Sequence, residues 1–124
     1  MRKLMSLIVA LSIGVLAHAQ RVQVDYYKNG HVKSTTFVEG TYTEVTAYFK
    51  SGKLKSISRF ENGVPQGIWQ TYDRHETLIA EGTYTNGRKT GEWLVYNYED
   101  KKIYKVMYRN DEKVTVSEWA LTRQ

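Results

Sequence analysis

The chain has 124 residues, no cysteine and one proline, and its 18 basic and 13 acidic residues give a net charge of +5. That length suits about one domain. The lack of cysteine excludes a disulfide framework, a thiolate zinc site, an iron–sulfur cluster and a cysteine nucleophile.

The first element reads as a leader. Met1, Arg2 and Lys3 form a short positive region, Leu4 to Leu16 is almost wholly apolar, and Ala17-His18-Ala19 matches a small-x-small cleavage site. The layout predicts a signal peptide over 1–19, cleaved before Gln20, with one domain over 20–124. The apolar run is short for a membrane span, and no cysteine follows it to carry a lipid. The expected destination is export, to the periplasm or beyond. Residues 20–124 hold 16 basic and 13 acidic side chains, a net charge of +3. That mild balance does not imply nucleic-acid binding.

The remainder is an internal repeat. Aromatic anchors are read at Tyr27, Phe49, Tyr72 and Tyr96, with second aromatics at Phe37, Phe60, Tyr84 and Tyr108. Turn signals follow at Glu39-Gly40, Asn62-Gly63, Asn86-Gly87 and Asn110-Asp111, and Gly67 and Gly91 precede Trp69 and Trp93. Trp119 is read as part of a closing fifth unit. Strands rich in Tyr, Trp, Val, Ile and Thr between Gly and Asn-Gly turns predict tandem β-hairpins. The predicted fold is therefore all-β: an elongated antiparallel sheet of about four hairpin repeats plus a terminal strand. Alternation puts Phe60, Tyr84 and Tyr108 on a packing face, and Lys55, Arg59, Lys105 and Arg109 on a solvated one.

Two segments carry a family resemblance. Phe60 to Tyr72 and Tyr84 to Tyr96 share the pattern aromatic, x, Asn-Gly, three residues, Gly, x, Trp, two residues, Tyr. This resembles the MORN repeat variant. Its repeat-defining positions here are Phe60, Gly63, Gly67, Trp69, Tyr72, Tyr84, Gly87, Gly91, Trp93, Tyr96 and Tyr108. The resemblance implies an interaction module, and lipid contact has been proposed for such repeats. Bacterial relatives are often labelled YwqK-type antitoxins; that label presumes a cytoplasmic partner, which the export signal opposes.

No catalytic constellation can be assembled. His31 and His75 lie near hairpin tips, and Asp73-Arg74-His75-Glu76 reads as a polar tip rather than a metal corner. The chain is expected to be non-enzymatic, with no catalytic, cofactor-binding or metal-binding residue. The leading expectation is a repeat surface for an envelope or secreted protein. Anionic lipid or glycan binding through Lys55, Arg59, Lys105 and Arg109, or through the aromatics, is the alternative. Edge-to-edge self-association is a further expectation, because a sheet of this kind leaves open edges.

Overall fold

The computed structural model describes residues 19–122, so the predicted leader, apart from Ala19, lies outside the described residues. Ten strands follow in chain order: β1 (Gln20–Tyr26), β2 (Val32–Glu39), β3 (Tyr42–Tyr48), β4 (Leu54–Glu61), β5 (Val64–Pro65), β6 (Gly67–Tyr72), β7 (Leu78–Thr85), β8 (Arg88–Asn97), β9 (Lys102–Arg109) and β10 (Glu112–Ala120). They form one antiparallel sheet in sequence order, with the two-residue β5 paired to β4 just before β6 takes over. The all-β hairpin array expected from the sequence is the fold.

The two ends of the hairpins differ. One end carries two-residue turns. Asn62 and Gly63 have φ of 51° and 76°, and Asn86 and Gly87 have 50° and 80°. Positive φ at both central residues defines a type I′ turn, whose twist matches that of the flanking strands. Asn110-Asp111 has the same signs, 50° and 67°, with aspartate accepting the left-handed conformation. The other end carries longer loops over 27–31, 49–53, 73–77 and 98–101. Neighbouring tight turns are stitched together by Gly87 N–H donating to Pro65 C=O (2.8 Å) and Asp111 N–H to Lys89 C=O (2.9 Å).

The pairing register corrects three points of the sequence reading. Val38 lies opposite Thr43, which lies opposite Phe60. Val38, not Phe37, is therefore the first-unit counterpart of Phe60, and Phe37 projects from the other face. Equivalent bulges follow Asp25, Ala47 and Thr71, which makes Tyr26, Tyr48 and Tyr72 equivalent. Tyr27 and Phe49 instead begin the long loops, where their N–H groups bond His31 and Lys53 C=O. With these shifts, both the tyrosine series 26, 48, 72, 96 and the series 38, 60, 84, 108 step by 22, 24 and 24 residues. Trp119 is the third correction. It pairs with Ile103 on the face opposite Trp93, and Val116 holds the position equivalent to that tryptophan, opposite Val106. β10 closes the array as its terminal strand, but Trp119 is not a repeat tryptophan.

The sheet is a single layer. Among the described residues only Gly82 and Val106 are buried. The work of a core falls to a ladder of rings along one face: Phe60, Trp69, Tyr84, Trp93 and Tyr108. Successive centroids are 5.3, 4.6, 5.1 and 6.0 Å apart, and three of the four contacts are edge-on. That geometry lets the positive edge of one ring meet the negative face of the next. Between Pro65 and Gln70, and again between Thr90 and Leu94, the chain carries two more residues than the strand opposite. Gly67 (φ 100°) and Gly91 (φ 68°) occupy these bulges. Each is followed two residues later by the tryptophan that covers the neighbouring strand, so the Gly-x-Trp pattern encodes the ladder.

Candidate functional site

From Phe60 to Tyr108 the rings of the ladder face pack on one another, while Val95 and Val116 on the same face stay exposed. Trp69 Nε1 donates to Arg59 C=O at 2.9 Å and Trp93 Nε1 to Thr83 C=O at 3.1 Å, equivalent bonds in successive units. The Lys89 ammonium sits 5.0 Å from the Trp93 ring centroid and 5.2 Å from that of Tyr108. Tyr72 and Tyr96 stand outside the ladder. Tyr72 ends β6 opposite Leu78, and Tyr96 stacks on Tyr98 at 6.0 Å.

The opposite face carries Arg59 and Lys105, but not as one basic stripe. β6, β7 and β8 lie between their strands, a separation of roughly 19 Å at ordinary strand spacing. Arg59 meets Glu44 at 3.2 Å and also donates to Ile68 C=O. Lys105 meets Glu92 at 3.1 Å and lies 4.7 Å from the Trp119 ring centroid. Arg109, at the end of β9, is exposed. Between the charges this face presents apolar side chains, including Ile68, which is 51% exposed, and Leu94. Those two border a shallow dent of about 180 Å³ with Glu81 and Glu92.

Lys55 belongs elsewhere. It is the extra residue of the bulge that shifts Tyr48 to Leu54, and its ammonium lies 5.8 Å from the Phe49 ring centroid. Lys33 is the extra residue of the equivalent bulge in the first unit, and lies 5.9 Å from the Tyr27 centroid. Attraction between cation and ring holds both side chains over the long loops. A cleft of about 370 Å³ there is lined by Tyr27, Phe49, Lys50, Ser51, Lys53 and Arg74. A second, of about 550 Å³, adds Lys28 and Lys33. Sequence reading missed this cationic and aromatic corner. Its signal was the repeated Tyr27-Lys28-Asn29-Gly30 and Phe49-Lys50-Ser51-Gly52, which only the loop geometry brings together.

The histidine tips are tied up locally. The Asp73 carboxylate accepts the N–H groups of His75 (2.8 Å) and Thr77 (3.0 Å). The Thr77 N–H chiefly holds the Asp73 carboxyl below its usual range; desolvation opposes it, and the His75 N–H adds a lesser lowering. His31 Nδ1 lies 2.6 Å from Lys50 C=O. Among the described residues no group of three or more His, Asp or Glu side chains converges as metal ligands would.

Comparison with known proteins follows the same units. The MORN repeat variant family matches residues 39–62. That stretch carries one MORN repeat variant. It runs from one tight turn through β3 and β4 to the next, one structural unit, and the later hairpins repeat its plan with the Gly-x-Trp bulge added. No curated protein matches the chain in sequence. Among solved structures, the chain is similar to an S. aureus TarM mutant crystallised in complex with Fondaparinux, alpha-GlcNAc-glycerol and UDP. The TM-score is 0.51 and the identity 8%, over 79% of this chain and 21% of TarM. This chain therefore spans about a fifth of TarM's length, and the likeness is one of fold.

Proposed function

We propose that this sheet is an exported, non-enzymatic module that presents the face opposite the aromatic ladder to a protein partner in the cell envelope. One observation carries this reading. From β4 to β9 the ladder face is covered mainly by rings that contact one another, with Val95 and the β10 residue Val116 its exposed apolar side chains, whereas the opposite face leaves Ile68 exposed among Arg59, Glu81 and Glu92. Apolar anchors rimmed by charge are the composition of a recognition surface. The leader read over 1–19 supplies the route to the envelope. The test is cross-linking of the tagged protein in its native envelope, beside an Ile68→Glu variant with unchanged melting temperature. A single stoichiometric partner that the variant loses supports the reading. A partner captured equally by both proteins, or none at all, opposes it.

A second reading rests on the long-loop corner. Lys28, Lys33, Lys50, Lys53, Lys55 and Arg74 surround Tyr27 and Phe49, a combination suited to an anionic lipid or glycan. Co-sedimentation with anionic vesicles at low salt, abolished by Lys33→Ala with Lys50→Ala and Lys53→Ala, would favour it. No sedimentation would end it.

A further inference from the structure

The edge strand β1 is complementary to itself. Its sequence is Gln20-Arg21-Val22-Gln23-Val24-Asp25-Tyr26, and all seven residues are exposed. Register fixes the direction of each side chain. Arg21, Gln23 and Asp25 lie opposite Val38, Thr36 and Ser34 on the ladder face, while Val22 and Val24 lie opposite Phe37 and Thr35 on the other. We propose that β1 pairs antiparallel with β1 of a second copy about a two-fold axis at Gln23, joining two sheets into one.

In that register Arg21 of each copy faces Asp25 of the other, Val22 faces Val24, and Gln23 faces Gln23. These pairs match in face and in chemistry, and the end pair, Gln20 with Tyr26, matches in face. Directly opposite side chains in an antiparallel pair stand about 5 Å apart at Cβ, within reach for an Arg–Asp ion pair. Among the described residues neither Arg21 nor Asp25 has an ion-pair partner within the chain; Asp25 accepts only long bonds of 3.4 Å from Gln23 and Ser34. The four valines would form one cluster on the opposite face, where Val22 is now 66% exposed. Every second residue of β1 also turns its N–H and C=O away from β2, and pairing would satisfy those groups.

The other edge is less suited. β10 is bulged between Lys113 and Thr115, so a symmetric pairing across it cannot keep matched faces along its length. Bulges are one of the devices that protect sheet edges; β1 has no proline, no lysine and no break over Gln20–Asp25.

The interface is isologous, so it closes at two copies. Seven residues form less than a standard interface, so the dimer should depend on concentration. The two-fold keeps both ladders on one side of the joined sheet and both opposite faces on the other. A partner with two binding epitopes would then meet two recognition faces at once.

Sedimentation equilibrium of the full protein between roughly 10 μM and 1 mM, the range where sub-standard interfaces hold, tests the proposal. A monomer–dimer equilibrium is expected. R21D and D25R alone each place like charges opposite and should weaken dimerisation on the order of tenfold. Mixed in equal amounts, they should dimerise again, because each supplies the charge the other lacks. Circular dichroism confirms that both variants fold. A wild-type protein that stays monomeric, single variants that dimerise as wild type does, or a mixture that stays apart would overturn the proposal.

Discussion

The Trp93 indole lies over Gly82 of the neighbouring strand, where a Cβ would overlap the ring. Gly82 is one of the two buried residues among those described. Its lack of a side chain is therefore a packing requirement and not a matter of backbone freedom. Gly82→Ala should cost about 1–3 kcal/mol, the usual penalty of overpacking, read as a fall of several degrees in thermal midpoint. An unchanged midpoint would show that the indole moves aside freely.

The tryptophans act through their N–H as well as their area. Trp93→Phe keeps a ring in the ladder but removes the bond to Thr83 C=O. A loss of about 0.5–1.5 kcal/mol is expected in urea unfolding. Trp93→Ala should lose considerably more, because the contacts to Tyr84 and Tyr108 go with it. Equal losses for the two variants would mean that ring packing contributes little.

Charge pairs on the opposite face should matter much less to stability. Arg59 and Glu44 are each about a third exposed, where water and salt weaken the attraction. Glu44→Gln should cost less than about 1 kcal/mol, and the difference should fade in high salt. A larger, salt-independent loss would assign that pair a structural role.

Asp73 gives the β6–β7 loop a pH dependence of known sign. Its folded-state carboxyl is held below the ordinary value of 3.8, first by Thr77 N–H. The loop contact is thus complete above pH 3.8 and is lost as pH falls through the lower folded value. The Thr77 and His75 amide resonances should shift in that acid window, and in Asp73→Asn the transition should disappear. Amide shifts that stay flat down to the acid limit of folding would contradict this.

Much of this architecture was legible in the sequence. The Asn-Gly pairs marked the type I′ turns, and alternation put Phe60, Tyr84 and Tyr108 on one face. Three placements were not legible. Tyr27, Phe49 and Phe37 stand directly beside the true counterparts Tyr26, Tyr48 and Val38, and only the pairing register separates such neighbours, since a one-residue slip turns a side chain to the other face. Trp119 stands three residues past Val116, and residue type alone does not show that Val116 holds the tryptophan position. The four basic residues could be assigned faces from alternation, but not partners. Glu44 and Glu92 approach Arg59 and Lys105 only through cross-strand pairing. The lysine corner at the long loops depends on bulges that composition does not reveal.

The claim on which the account rests is that the ring ladder does the work of a core in a one-layer sheet. Tyr84 sits at its centre, touching both Trp69 and Trp93. The most direct measurement is urea unfolding of Tyr84→Ala against the wild type. The expected loss is about 2–4 kcal/mol, somewhat below that of a fully buried aromatic because Tyr84 is only part-buried. A loss within about 0.5 kcal/mol, as at an ordinary surface position, would contradict the account and place the stability of the sheet elsewhere.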